Sequence, residues 1–220
     1  MFSLPFGNEK HTLGPSKIIC LGRNYAAHAK EMGAERPASP VLFLKPPSSL
    51  LPPDSEIIIP PFSKDVHHEV ELAVIIGVSG KDILPEKAME HVLGYTILLD
   101  MTARDLQSEA KKKGLPWTVS KGFDTFAPVG PIIVPAKRLD PSDLEIGLSV
   151  NGVTKQISRT SKMLFSIEET ISYISSVMSL EKGDLIATGT PQGVGPVRSG
   201  DVIDAWIEEI GVLKERVISR

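Results

Sequence analysis

Apolar residues in this chain come in short runs separated by glycine, proline and charge, the pattern of a strand-rich protein with few helices. Ile18-Ile19-Cys20-Leu21 reads as a strand ended by Gly22, and Val41 to Lys45 as a second, stopped by Pro46-Pro47. Ile57 to Ile59 is a third. From Val70 to Val78 nearly every residue is apolar, which predicts a strand buried on both faces. Tyr95 to Leu99, Ile132 to Val134, Glu145 to Val150, Leu185 to Thr188 and Val202 to Ile207 read as further strands, and Asn151-Gly152 marks a hairpin turn. Four helices are expected. Asn24 N-caps one over Tyr25 to about Met32, closed by Gly33, and Pro85 opens a second through Val92, with Gly94 ending it. Thr102-Ala-Arg-Asp105 resembles a capping box for a third, running to Lys111-Lys112-Lys113 and Gly114. The fourth follows the full box Ser166-Ile-Glu-Glu169, with Ile167, Ile171, Ile174 and Met178 on its inner face. Strands and helices do not alternate regularly. The fold class is therefore α+β with a mixed sheet or barrel-like roll, because a doubly wound parallel sheet needs regular crossover helices.

Composition narrows the setting. A chain of 220 residues, 41% hydrophobic and 23% charged, has room for one domain with a real core and is not a disordered chain. The formal net charge of −3 argues against a nucleic-acid binder that works through a basic field. The longest apolar run, Leu72 to Val78, falls far short of the ~20 residues that span a bilayer, and no membrane association is expected. Cys20 is the single cysteine and nothing reads as a signal peptide, so the expected compartment is the cytoplasm.

The most informative stretch is Glu69-Val70-Glu71. Side chains alternate along a strand, so both carboxylates leave the same face. An isolated Glu-x-Glu also fits a solvent face, but this one runs straight into Leu72-Ala-Val-Ile-Ile76. Paired carboxylates entering a buried strand repel unless a cation neutralises them. Asp100, at the end of another apolar strand, offers a third. Such a set favours a hard cation, Mg²⁺ first, with Mn²⁺ or Ca²⁺ as alternatives. His67 and His68 precede the pair and are not needed as ligands.

His28 and Glu31 stand at i, i+3 on the first helix, where a carboxylate would orient an imidazole as a general base, or where the two would form a surface ion pair. Arg104 and Gln107 share the same spacing after Asp100, and arginine suits a substrate carboxylate. Lys121 lies between Trp117-Thr-Val and Gly122-Phe123, placed either to stabilise a developing enolate or as a loop lysine. Gly189-Thr190-Pro191-Gln192-Gly193-Val194-Gly195 lacks the Gly-Lys-Ser/Thr of a phosphate loop, but Thr190 and backbone amides there could hold a small carboxylate.

These pieces, in this order, resemble the fumarylacetoacetate hydrolase family. The matching stretches are Gly22-Arg-Asn-Tyr25 with His28, Phe43-Leu-Lys-Pro46, His68-Glu-Val-Glu-Leu72 and Asp100-Met-Thr-Ala-Arg-Asp105. Lys112-Lys-Gly-Leu-Pro-Trp117, Lys121-Gly-Phe123 and Thr188-Gly-Thr-Pro-Gln-Gly-Val-Gly195 continue them. Gly122 stands where relatives often carry serine. The resemblance is strongest to the acylpyruvase and oxaloacetate decarboxylase branch. It implies residues 16–220 as one catalytic domain after an N-terminal extension over 1–15, a mixed β-roll, and a homodimer. It also implies Mg²⁺ on Glu69, Glu71 and Asp100, a catalytic His28–Glu31 pair with Lys121, and substrate contacts from Arg23, Arg104, Gln107 and Thr190. The implied reaction is metal-dependent C–C cleavage of small 2-oxo acids: acylpyruvate hydrolysis, oxaloacetate decarboxylation, or both, through a pyruvate enolate. The alternative is a 2-hydroxyhepta-2,4-diene-1,7-dioate isomerase or 5-oxopent-3-ene-1,2,5-tricarboxylate decarboxylase of aromatic catabolism. A non-catalytic protein that binds a metal or small ligand stands as the reading from another class.

Overall fold

A computed structural model describes residues 1–31, 33 and 35–219. Two large sheets carry the fold. The first orders six strands as Val134–Pro135, Val92–Leu99, Val70–Ile76, Leu185–Ala187, Ile18–Gly22 and Val41–Lys45. The second orders five as Val153–Arg159, Glu145–Val150, Val202–Ile207, Gly211–Ser219 and Glu56–Ile59. Both are mixed: Leu185–Ala187 runs parallel to Ile18–Gly22 but antiparallel to Val70–Ile76, and Gly211–Ser219 runs parallel to Glu56–Ile59. The expected α+β class with mixed sheets holds.

The Val70–Ile76 strand explains its own composition. All seven of its residues are buried. Leu72, Val74 and Ile76 join a core that includes Ile146, Leu148, Ile203, Leu213 and Val217 of the second sheet. Ala73 and Ile75 face the other way, into a smaller core with Ile18, Cys20, Leu98 and Leu185. That smaller core is closed by a hairpin, Phe2–Phe6 paired with Glu9–Leu13, which contributes Leu4 and Leu13. Apolar packing on both faces removes any reason for alternation.

Several local expectations hold. Ser166 and Glu169 form the reciprocal capping box ahead of Ile167–Val177, at 3.2 and 2.8 Å. Asn151 and Gly152 both adopt positive φ, as a type I′ turn requires, and join Glu145–Val150 to Val153–Arg159. Gly33 adopts positive φ after Ala26–Glu31, while Met32 lies outside the described residues.

Others are corrected. Pro85–His91 is a 3₁₀ segment, and Gly94 lies inside the Val92–Leu99 strand instead of ending a helix. The glycine is needed there because a Cβ would come within 2.3 Å of the Val134 carbonyl oxygen. Thr102 does not cap: Thr102–Ala103 pairs with Val66 and His67, and the Thr102 hydroxyl donates to the Asp100 carbonyl. The helix Arg104–Lys113 is started by the chain itself, the Arg104 N–H donating to the Asp65 carbonyl at 2.7 Å. Asn24 does not cap its helix either. Its amide donates to the carbonyls of Phe165 and Thr188 and accepts from the Phe165 N–H, tying three segments together. Lys121 ends a short helix, Thr118–Lys121, that the sequence pattern did not suggest. Among the described residues no helix is long and apolar enough to cross a membrane.

Candidate active site

The antiparallel register of Val70–Ile76 with Val92–Leu99 sets Val70 opposite Leu99. Asp100, one residue on, therefore lies opposite Glu69, and its N–H donates to the Glu69 carbonyl at 2.8 Å. Glu71 leaves the same face as Glu69. The three buried carboxylates converge, with one oxygen of each within 4.8 Å of the others. They floor a cavity of about 240 Å³ that is also lined by Arg23, His28, Arg104, Gln107, Lys121 and Thr190. That is smaller than the ~300–1,000 Å³ of sites for drug-sized ligands, and suits a small acid.

Charge in this cavity is unevenly matched. Lys121, 2% exposed, donates to Glu69 Oε2 at 2.9 Å and to Asp100. Arg104 donates to Glu69 through one nitrogen and to Gln107 Oε1 through the other, the latter at 2.6 Å. Lys45 Nζ sits 2.7 Å from Asp100 Oδ1 and donates to the carbonyls of Met101, Lys121 and Phe126. Among the described residues Glu71 has no cation of this kind; its Oε2 accepts the Gly189 N–H at 2.7 Å. The two glutamates titrate accordingly. Burial pulls Glu69 upward, but Lys121 and then Arg104 outweigh it and hold it well below the usual range. Burial, then Asp100 and Glu69, push Glu71 well above it. Burial pulls Lys121 down, and Asp100 and Glu69 more than reverse that, so it stays charged.

His28 is buried beside Glu31, with Nδ1 3.1 Å from Oε2. Glu31 also accepts the Gly193 N–H at 3.0 Å, so the glycine-rich turn holds the carboxylate that orients the imidazole. With Nδ1 engaged, Nε2 is the nitrogen left to take a proton. Thr190 and Arg23 both line the cavity, Arg23 from a backbone with φ of 61°, a conformation costly for a residue with a side chain. Of the residues singled out in the sequence, nine line this one space and Glu31 reaches it through His28. His67 and His68 turn elsewhere, to Asp65 and Gln156.

Four residues escaped sequence reasoning. Lys45 carries an ammonium fully inside the protein; its place two after Phe43 on one strand face was the available signal. Lys111, taken as a helix-end charge, also lines the cavity, with its Nζ 5.2 Å from the Trp117 ring centre. Asn24 and Gln156 work through contacts more than 80 residues away in sequence, which no local pattern encodes.

Comparison with known proteins agrees with this geometry. The model of the fumarylacetoacetate hydrolase C-terminal family matches residues 17–218. Mitochondrial oxaloacetate decarboxylase of Dictyostelium discoideum is 55% identical over 87% of this chain and 88% of that protein. Mitochondrial oxaloacetate tautomerase FAHD1 of Bos taurus is 48% identical over 91% of this chain and 90% of that protein. Fumarylpyruvate hydrolase of Pseudomonas aeruginosa, solved with Mn²⁺ and pyruvate, superposes with a TM-score of 0.95 at 40% identity, covering 100% of this chain and 96% of that one.

Proposed function

The chain belongs to the fumarylacetoacetate hydrolase family, and from this we propose that it is a metal-dependent enzyme acting on small 2-oxo acids through the enolate of pyruvate. The observation that carries the reading is the convergence of Glu69, Glu71 and Asp100 on a cavity lined by a candidate base, His28, and by anion-binding groups. The carboxylates fit a divalent cation. All are hard oxygen donors, and Glu71 is buried without an ion-pair partner among the described residues. Glu69, Glu71 and Asp100 would hold it, with Mg²⁺ proposed and Mn²⁺ or Ca²⁺ as substitutes. The bound cation supplies Lewis-acid charge where negative charge develops on the 2-oxo oxygen.

The chain's own residues do the rest. Lys45, Lys121 and Arg104 match the three carboxylates in formal charge, so a divalent cation, with Arg23 and Lys111 at the wall, would leave the cavity net positive. Oxaloacetate, a dianion, suits that excess, and a 2-oxo acid comes to suit it as its enolate forms. Arg104, Gln107 and Thr190 bind the substrate's oxygens, and Arg23 and Lys111 add positive potential at the cavity wall. In hydrolysis of an acylpyruvate, His28 Nε2 takes a proton from water while Glu31 stabilises the imidazolium. The hydroxide adds to the distal carbonyl, the C3–C4 bond breaks, and its electron pair becomes the enolate, protonated at C3 to pyruvate. In decarboxylation the same bond breaks with carbon dioxide leaving and needs no attacking water. Tautomerisation moves only the C3 proton. Lys121 would stabilise the enolate oxygen in each case.

The functional unit is proposed as a homodimer of catalytic domains spanning 16–220, and the cytoplasm remains the proposed compartment, although two relatives are named as mitochondrial. The test is a panel of oxaloacetate, acetylpyruvate, fumarylpyruvate and 2-hydroxyhepta-2,4-diene-1,7-dioate with Mg²⁺ or Mn²⁺, products identified by mass, alongside titration of oxalate. Pyruvate with carbon dioxide or a carboxylic acid is expected. Conversion of dienoates at unchanged mass, without cleavage, would favour the isomerase alternative; oxalate binding without turnover of any member would make this a binding protein.

A further inference from the structure

Gln156 is the one fully buried residue in a strand whose other members are exposed or half-exposed. Its carboxamide uses its whole capacity. Oε1 accepts the Val70 N–H at 3.2 Å and lies 3.0 Å from His68 Nδ1, while Nε2 donates to Thr190 Oγ1 and to the Pro191 carbonyl, both at 2.8 Å. Only one amide orientation satisfies these neighbours, because a backbone N–H can only donate and a proline carbonyl can only accept. Two assignments follow. His68 carries its proton on Nδ1. The Thr190 oxygen receives a hydrogen from Gln156, so its own hydrogen is directed elsewhere, and Thr190 lines the cavity.

We propose that Gln156 is a positioning residue that fixes the Thr190 hydroxyl as a hydrogen-bond donor to an anionic substrate oxygen. A serine or threonine hydroxyl left to itself can present either a lone pair or a hydrogen. Presented as an acceptor, it would repel a carboxylate or an enolate. Gln156 removes that choice, and through Val70 it spaces the glycine-rich turn from the strand that carries Glu71. It touches neither the reacting atoms nor the carboxylate cluster. The inference rests on the reading that the cavity binds a 2-oxo acid anion.

The test is a double-mutant cycle read by calorimetric titration of oxalate, a planar enolate mimic, into the Mn²⁺-loaded protein. Mn²⁺ affinity and thermal unfolding are measured for each variant. Thr190→Val should weaken oxalate about tenfold, the scale of one lost hydrogen bond to a charged group. Gln156→Met should weaken it several-fold with Mn²⁺ affinity unchanged, and the double variant should be no weaker than Thr190→Val alone. A residue that merely stabilises the fold would give additive losses, and additivity overturns the proposal. If Gln156→Met loses Mn²⁺, Gln156→Glu takes its place: it keeps the acceptor for the Val70 N–H but draws the Thr190 hydroxyl hydrogen to itself, so it should weaken oxalate at least as much as Thr190→Val, and a smaller loss overturns the proposal. Failure of oxalate to bind the unaltered protein overturns the functional reading and this inference together. Normal binding with no effect of Thr190→Val or of Gln156→Met overturns this inference alone.

Discussion

Lys45 offers the sharpest quantitative expectation. The residue is 1% exposed and its ammonium serves four oxygens: the carbonyls of Met101, Lys121 and Phe126 at 3.0, 2.5 and 2.8 Å, and Asp100 Oδ1 at 2.7 Å. Lys45→Met keeps most of the side-chain volume and removes every one of these contacts. Each buried carbonyl left without a donor costs roughly 1–3 kcal/mol, but the losses overlap because one group supplies them all. Asp100 keeps Lys121 as a partner, so the loss lies at the lower end of the about 3–5 kcal/mol that breaking a buried pair costs. With a urea m-value of about 2 kcal/mol/M, the midpoint should fall by about 1.5 M. The control is Lys113→Met, which breaks an exposed pair with Glu109 and should leave the midpoint unchanged. Urea unfolding followed by circular dichroism measures both. A midpoint shift below about 0.5 M for Lys45→Met would show that water or rearranged neighbours satisfy those oxygens, and would refute the assignment.

Three further outcomes are expected. His28→Ala should reduce acylpyruvate hydrolysis by ~10²–10⁴-fold in kcat/KM and oxaloacetate decarboxylation much less, since only hydrolysis needs an activated water; equal losses at saturating Mg²⁺ would mean His28 also positions substrate. Glu71→Gln should abolish the rise in melting temperature that Mn²⁺ gives, while making the metal-free protein more heat-resistant, because a buried carboxylate lacking a cationic partner disappears; differential scanning with and without chelator reads both. Burial, then Asp54, push Glu215 up to about 8 from an ordinary 4.5. The unfolded chain loses this proton first, so the contribution to stability declines as pH rises from about 4.5 to about 8. From pH 6 to 9, Glu215→Gln should gain about 2–3 kcal/mol relative to the unaltered protein, and a flat difference in urea unfolding would contradict this.

Much of the site was legible because its chemistry is written in short segments. Glu69-Val70-Glu71 carries its geometry in a two-residue period, and His28 with Glu31, like Arg104 with Gln107, in a helical one. What could not be read was how strands from distant parts of the chain would meet. The Gly211–Ser219 strand alternates mildly and is defined mainly by its partners, Val202–Ile207 and Glu56–Ile59. The hairpin over Phe2–Phe6 and Glu9–Leu13 becomes visible only once the smaller core it closes is known. Thr102 and Asn24 have the side chains of helix caps, yet the Asp100 carbonyl two residues back took the hydroxyl of the first and distant Phe165 the side-chain amide of the second. Gln156 and Lys45 are the deepest omissions, since a buried polar side chain is recognisable only through the groups it serves.

The irregularity near the far end of the two central strands has a bearing on how this chain tolerates changes in length. Between Ile75 and Ile76 the register skips, Ile75 facing Gly94 and Ile76 facing Val92. Everything on the connecting side of that step, including Pro85–His91, lies beyond the break in pairing. Residues can be gained or lost in that connection with Val70 still opposite Leu99, the slack being taken up at the bulge. An insertion or deletion of one residue within the Tyr95–Leu99 stretch has no such outlet. It would turn Asp100 to the opposite face of the sheet and dismantle the carboxylate cluster while leaving the strand hydrophobic enough to fold. Indel scanning across 77–99 should therefore divide sharply, with a permissive connection and an intolerant strand only a few residues apart.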